Sequence, residues 1–87
     1  ADEPVWSGDQ PDALMEQQDR TAAVAALLNA LYPTYREVIV LREYDQLSYD
    51  EIAAVTGTSV ASVKSRLFKA RRAMLDRLSE LYPEGSL

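Results

Sequence analysis

The sequence predicts an all-α fold, a compact four-helix domain with a C-terminal helix-turn-helix, on three observations. Apolar residues recur at helical intervals of three and four positions. A serine or threonine precedes a glutamate by three positions at two candidate helix starts, which is the capping-box pattern. No segment outside a helical frame has the signals of a β-strand. We therefore expect an arm or linker at residues 1–10, one domain at residues 11–82, its helix-turn-helix at residues 48–72, and a tail at residues 83–87.

The first helix is expected to run from Pro11 to about Leu31. Proline suits the first helical position, because an N–H at that position would have no helical partner in any case. Residues 22–31 are apolar on almost every side, which is more than one core-facing stripe requires. This surplus leaves two interpretations open, a partner-binding surface and tight packing in a small domain. Trp6 is likewise open to packing on the domain or to anchoring a partner.

The second helix is expected to span Thr34 to Tyr44. Pro33 separates it from the first helix, because proline disfavours helical geometry at the residue before it. Thr34 and Glu37 form a candidate capping box at its start. The inner face of this helix would consist of Val38, Ile39 and Leu41.

A short third helix, from Tyr49 to about Thr56, follows a second candidate capping box formed by Ser48 and Glu51. Gly57 then stands where a tight turn requires a positive φ, which glycine adopts without a steric penalty. If Gly57 has that conformation, its replacement by valine should destabilise the domain by roughly 1–3 kcal/mol.

The fourth helix is expected to run from Val60 to about Tyr82, with Ser59 as its N-terminal cap. Phe68 falls on the exposed half of this helix, where a large aromatic side chain has no core to enter. The apolar seam of the helix steps by three and four residues and comprises Val60, Val63, Leu67, Ala70, Met74, Leu78 and Leu81.

Basic residues concentrate on this fourth helix, although the whole chain carries a net charge of −5. Residues 64–77 carry a local charge of +5, so the remainder of the chain carries −10. A DNA-binding surface requires a basic face and not a basic protein, and this helix supplies one. Opposite the seam lie Ser65, Lys69 and Arg72, while its flanks carry Lys64 and Arg71 on one side and Arg66 and Arg77 on the other.

The composition excludes several classes of function. The chain has no cysteine and no histidine, which removes disulfides, thiolate metal sites and histidine-based catalysis. Its three glycines are too far apart to form a phosphate-cradling loop. No apolar run reaches the ~20 residues of a membrane span, and no secretory signal begins the chain. We expect a cytoplasmic protein that is not an enzyme and has no cofactor, metal site or small-molecule substrate. The start at Ala1 fits a fragment and a processed product equally well.

Together these features predict DNA binding by a helix-turn-helix. The third helix, the glycine turn and the fourth helix have the order and lengths of that motif. The N-terminal half of the fourth helix would enter the major groove, where side chains reach base edges. Basic side chains on its flanks would meet phosphates on both sides of the groove. The competing interpretation is a helical bundle whose charges only face solvent, but such a bundle more often mixes charge signs at i,i+4 positions.

The segment LSYDEIAAVTGTSVASVKSRLFKARRAML, residues 47–75, resembles region 4.2 of extracytoplasmic-function (ECF) sigma factors. Residues 26–46 resemble region 4.1 of the same family. The most specific shared pieces are LYP at 31–33, RE at 36–37, EIA at 51–53, Gly57, and VKSRL at 63–67.

The chain departs from the family pattern at three places around the turn. The family usually has an aliphatic residue where Thr56 stands and often isoleucine where Thr58 stands. It often has Gly-Thr where this chain has Ala61 and Ser62. These departures concern the packing of the turn and one phosphate contact.

The resemblance implies recognition of the promoter −35 element, docking on the β-subunit flap of RNA polymerase, and an anti-sigma factor as a further partner. By position, the base-reading surface would consist of Lys64, Ser65, Phe68 and Lys69. The phosphate-facing set would consist of Arg66, Arg71 and Arg72, with Tyr49, Ser59 and Ser62 as helpers. Two alternatives stay open: the helix-turn-helix of a response-regulator type of transcriptional regulator, and a helical interaction domain bound by an anti-sigma factor.

Overall fold

The computed structural model describes residues 4–8 and 20–83. Apart from one isolated β-bridge these residues are helical or irregular, and the four α-helices are α1 (Arg20–Ala30), α2 (Pro33–Ile39), α3 (Tyr49–Thr56) and α4 (Val60–Leu81). A π-helical turn, Val40–Tyr44, continues α2. The fold class is therefore the predicted one. Residues 11–19, where the first helix was expected to begin, lie outside the described residues, as does the end of the predicted tail.

Helix α4 is the central element of the core, because it packs against α1, α2 and α3. Full burial of one aliphatic side chain stabilises a fold by about 1.5–3 kcal/mol. Because all four helices contribute buried side chains to one core, this burial holds them in their packed orientation. The buried residues of α4 follow the predicted seam and are Val63, Leu67, Ala70, Met74 and Leu78. The largest fully buried side chains that complete this core are Leu27, Leu31, Val38 and Ile52. No helix in this described part of the chain is long and apolar enough to cross a membrane.

The start of α2 corrects the predicted capping box at Thr34. The helix begins at Pro33, and its N-cap residue is Tyr32, whose side chain makes no capping hydrogen bond. The backbone amides of Tyr35 and Arg36 both donate to the Tyr32 carbonyl at 3.0 Å. Proline has φ fixed near the helical value and lacks an N–H, so it occupies the first helical position and the helix begins one residue early. Thr34 therefore lies inside the first turn and does not cap it.

The π-helical turn changes how α2 ends. The Asp45 amide donates to the Val40 carbonyl at 3.1 Å, which spans five residues instead of four. The Leu47 amide donates to the Leu41 carbonyl at 3.0 Å across Gln46, which has a left-handed backbone with φ of 59°. The sequence predicted an ordinary α-helix up to Tyr44. In the structure this segment is instead a wider, π-helical turn, and the chain continues from it towards the start of α3.

The arm at residues 4–8 packs on the domain. Trp6 forms an isolated antiparallel β-bridge with Leu31, immediately after α1. The Tyr32 amide donates to the Val5 carbonyl at 2.9 Å, while the amide and hydroxyl of Ser7 donate to the Ala30 carbonyl at 2.8 and 2.9 Å. The carbonyl of Ala30 at the end of α1 therefore receives its hydrogen bonds from the arm. Val5 and Trp6 are half-buried against the core, so packing is the role that the structure shows for Trp6.

Candidate nucleic-acid interface

The first helix of the helix-turn-helix begins with the capping box predicted for Ser48 and Glu51. The Ser48 hydroxyl accepts from the Glu51 amide at 3.0 Å, and the Ser48 amide donates to the Glu51 carboxylate at 2.8 Å. Hydrogen bonding to the carboxyl, first from the Ser48 backbone N–H and then from the Ser48 side chain, lowers the pKa of the exposed Glu51. The prediction for the start of α3 is thus confirmed in both of its hydrogen bonds.

The turn between α3 and α4 has the geometry predicted for Gly57. This residue has φ of 70° and ψ of 31°, the left-handed region, and its amide donates to the Ala53 carbonyl. The Thr58 amide also donates to the Ala53 carbonyl, at 3.0 Å. Ser59 then caps α4 by accepting from the Ser62 amide at 3.0 Å. Residues 57–59 therefore join the two helices in a turn that the Gly57 amide, the Thr58 amide and the Ser59 hydroxyl stabilise by local hydrogen bonds.

The two threonines that depart from the family pattern contact each other across the turn. The hydroxyls of Thr56 and Thr58 lie 2.9 Å apart, and the Thr56 hydroxyl also donates to the Ile52 carbonyl at 2.8 Å. Both residues are half-buried. A short hydrogen-bonded chain therefore takes the place of aliphatic packing at the turn, and each polar group that it brings inwards has a partner.

The predicted base-reading residues project from the first three turns of α4, away from the core. Lys64 and Ser65 are exposed, Lys69 is half-buried, and the Phe68 side chain is 70% exposed. Ile52 and Ala53 of α3 and Val63 of α4 are buried, and they hold this part of α4 against α3. The sequence placed these residues on the solvent side of the helix, and the structure has them there.

The basic residues of α4 divide into two groups by their ion pairs. In the C-terminal half, Arg71 pairs with Glu43 of the π-helical turn, Arg72 pairs with Asp76 at 3.4 Å, and Arg77 pairs with Glu80 at 2.6 Å. In the N-terminal half, Lys64, Arg66 and Lys69 form no ion pair with any residue that the structure describes. The sequence predicted basic residues along residues 64–77 of this helix, and in the structure those without acidic partners among the described residues occupy only the half nearest to the turn.

Tyr49 joins the basic face to the preceding segment. The guanidinium carbon of Arg42 lies 4.5 Å from the centre of the Tyr49 ring, and the Lys64 ammonium lies 5.6 Å from it. Cations at these distances are attracted by the aromatic face. Arg42 also donates to the Leu47 carbonyl at 2.9 Å, which fixes its guanidinium beside α3. Sequence reasoning missed Arg42, because only the π-helical turn brings it next to Tyr49.

The predicted phosphate-facing residues do not form one patch. A cavity of about 250 Å³ gathers Tyr49, Lys64, Leu67, Phe68, Arg71, Arg72 and Leu75 on one flank of α4. Arg66 lies about 200° around the helix from Lys64, so it faces the other flank. Ser59 and Ser62 lie at the helix start, where the Ser59 hydroxyl and the Ser62 amide are bonded to each other. The predicted phosphate-facing residues therefore lie on both flanks of α4 and at its start.

An apolar groove of about 390 Å³ lies between α1, the end of α2 and the C-terminal half of α4. Tyr44 and Leu75 on its edges are 60% and 57% exposed. Two residues of the apolar stretch predicted for the first helix, Val24 and Leu28 of α1, line this groove. The other lining residues are Ile39, Glu43, Arg71, Met74 and Leu78.

Among the residues that the structure describes, no group of three or more acidic side chains is arranged to hold a metal ion. The surfaces that stand out are therefore the N-terminal half of α4 with its two flanks and the apolar groove.

Comparisons with known proteins identify this arrangement. The sequence model of the family described as "Sigma-70, region 4" matches residues 21–74. The "ECF RNA polymerase sigma-E factor" of Escherichia coli (strain K12) is 38% identical over 71 residues, which cover 82% of this chain and 37% of that protein. The protein of the same name from Salmonella typhi has the same identity and coverage. The "RNA polymerase sigma-H factor" of Pseudomonas aeruginosa is 34% identical over 77 residues, 88% of this chain and 40% of that protein. The chain thus spans well under half the length of these relatives, and it belongs to the sigma-70 region 4 family.

Proposed function

We propose that this domain binds the −35 element of promoter DNA as region 4 of an ECF-type sigma factor and docks on RNA polymerase to direct transcription initiation. One observation carries the proposal above the others. The N-terminal half of α4, which begins directly after the glycine turn and is capped by Ser59, is the half whose cations lack acidic partners among the described residues. These are the cations that are available to a polyanion, and they lie where a recognition helix enters the major groove.

Base reading is assigned to four side chains in the N-terminal half of α4. Lys64 and Lys69 can donate to the O6 and N7 atoms of guanine. The Ser65 hydroxyl can donate or accept, and the exposed ring of Phe68 suits contact with a thymine methyl group. All four are within one helical stretch of six residues, which spans about 8 Å and reaches two or three base pairs.

Phosphate contacts are assigned to the two flanks and to the start of α4. Arg42 and Tyr49 lie on the Lys64 flank, and Arg66 lies on the other. The positive end of the α4 dipole, next to Ser59 and Ser62, adds a further attraction for a phosphate. Arg71 and Arg72 were predicted as phosphate ligands too, but each would first have to leave its carboxylate partner.

Polymerase docking is assigned to the apolar groove. A concave apolar surface of this kind accommodates the apolar face of an amphipathic helix, with aromatic and aliphatic edges closing around it. The flap of the polymerase β-subunit is the proposed occupant, and an anti-sigma factor that covers the same groove would exclude the polymerase. The chain is acidic, with a pI near 4.5, so we expect the isolated domain to bind DNA weakly and to depend on polymerase for affinity.

The test of DNA recognition is a low-salt titration with a randomised duplex pool, followed by sequencing of the bound fraction. We expect enrichment of a short motif that is lost in the Lys64→Ala/Lys69→Ala variant. The matched control, Arg36→Gln/Arg77→Gln, removes two charges away from the N-terminal half of α4 and should retain the motif. Equal loss in both variants would mean that bulk charge drives binding, and base reading by α4 would be wrong.

The test of docking uses Tyr44, which lines the groove and is exposed. Tyr44→Glu places a charge in the groove, whereas Gln46→Glu places the same charge outside it on the same exposed segment. We expect only Tyr44→Glu to abolish binding of a flap-tip peptide of the polymerase β-subunit. Retention of the peptide by Tyr44→Glu would assign the flap to another surface.

A further inference from the structure

The ion pair between Arg71 and Glu43 differs from the two other ion pairs that α4 forms among the described residues. Arg72 and Arg77 pair with acids three or four residues away on their own helix. The partner of Arg71 stands 28 residues earlier in the chain, on the π-helical turn, and is therefore delivered by the fold. Pairs three or four residues apart need only the helix that carries them, whereas this contact requires the π-helical turn after α2 to pack against α4.

Arg71 also occupies a particular place on the DNA-facing flank. Its side chain lines the cavity beside Tyr49, together with Lys64, Phe68 and Arg72. The family resemblance predicts it as a phosphate ligand, yet its guanidinium donates to the Glu43 carboxylate. The two side chains are 42% and 50% exposed, so water reaches the pair and a phosphate can compete for the arginine.

We infer that Glu43 is an internal competitor for phosphate, which withholds Arg71 from polyanions and so lowers the affinity of the free domain for DNA. The competition itself rests on the ion pair between Arg71 and Glu43, whereas its role in DNA binding rests on the proposed function. The Glu43 carboxylate takes a donor of Arg71, at Nη2, and offsets its positive charge, so a phosphate that binds Arg71 competes with this carboxylate. Glu43 is thus a positioning residue: it touches no nucleic acid and acts through the cation that it holds.

The inference predicts a defined change in salt dependence. Each phosphate neutralised by a protein cation contributes a slope of about −0.9 to the plot of log K against log salt concentration. Glu43→Gln removes the competing charge and keeps the side-chain shape, so the slope should become steeper by up to about 0.9 and the affinity at 0.1 M salt should rise by up to about eightfold. Because Arg71 is already paired with Glu43 in the native chain, Arg71→Ala alone should change this slope by much less than one.

The experiment is a double-mutant cycle with Glu43→Gln, Arg71→Ala and the combined variant. Two probes are used, a duplex of promoter sequence and a heparin column, because competition for Arg71 applies to any polyanion. The matched control is Asp45→Asn, which removes the same charge from an exposed neighbour on the same segment. Circular dichroism confirms that every variant keeps its helical content.

The expected result is a gain in Glu43→Gln that exceeds the gain in Asp45→Asn and disappears when Arg71 is alanine. An equal gain in both acid variants, or a Glu43→Gln gain that persists without Arg71, would show only a general loss of negative charge and would overturn the inference. No gain on either probe overturns it as well. If the cycle holds on heparin while no duplex binds, the competition is real and the proposed DNA recognition is what fails.

Discussion

Replacement of Gly57 tests whether backbone geometry at the turn, and not packing around it, holds the helix-turn-helix together. Its φ of 70° lies in the left-handed region, which costs an L-residue about 1–2 kcal/mol. A Cβ atom built on Gly57 would meet nothing within 4 Å, so no steric clash adds to that cost. Replacement of glycine also reduces the conformational entropy of the unfolded chain, which offsets about 0.4–1 kcal/mol of that cost. Gly57→Ala should therefore destabilise the domain by about 1 kcal/mol.

The backbone argument also predicts an order among substitutions at this position. Asparagine enters the left-handed region more readily than other non-glycine residues, so Gly57→Asn should cost clearly less than Gly57→Ala. The β-branched side chain of Gly57→Val should cost the most, within the 1–3 kcal/mol expected from the sequence. Because 1 kcal/mol shifts the Tm of a domain of this size by about 4–8 °C, the three variants are separable by thermal unfolding.

The assay is thermal unfolding followed by circular dichroism, with the native chain and the three variants at one protein concentration. The expected order of Tm is glycine, asparagine, alanine and valine, from highest to lowest. An alanine variant as stable as the native chain would refute the argument from φ. An asparagine variant as unstable as the valine variant would show that side-chain size, and not backbone conformation, sets the cost.

Three further predictions concern stability. Gln46→Gly should raise the free energy of unfolding by about 0.5–1 kcal/mol, because it relieves a left-handed φ of 59°; chemical denaturation that shows no gain would contradict this. Folding lowers the pKa of Glu51 from its usual value of 4.5. The ionised carboxylate therefore stabilises the fold above pH 4.5, and this stabilisation is lost as the pH falls through the lowered pKa of the folded state. Glu51→Gln should flatten the pH dependence of Tm in that range, and an unchanged profile would remove the capping argument. Leu67→Ala, at a side chain only 1% exposed, should cost about 2–5 kcal/mol, and a loss below 1 kcal/mol in denaturant titration would contradict tight packing there.

The helix-turn-helix was predictable from the sequence because its signals are local. Ser48, Gly57 and Ser59 each act within three or four residues of their own position, and the bounds of α3 and α4 follow from them. The apolar seam of α4 was likewise predictable, because helical periodicity alone decides which of its residues face inwards.

The start of α2 was mispredicted because two local signals competed there. Pro33 and Thr34 both favour a helix start, and the fixed backbone of proline prevails over the hydroxyl cap of threonine. The π-helical turn has no clear local signal, and it moves Arg42 beside Tyr49. The pair between Arg71 and Glu43 could not be predicted, because it depends on the packing of elements far apart in the chain.

The position of Trp6 makes the chain its own optical probe. It is the one tryptophan of the sequence, and it lies half-buried on Leu31 at the end of the domain where the arm packs. Indole emission therefore reports the environment of the arm, whereas far-ultraviolet circular dichroism averages over all four helices. If the arm detaches before the core melts, the emission will change at a lower temperature than the helical signal does. Coincident transitions would mean instead that the arm and the core unfold as one cooperative unit.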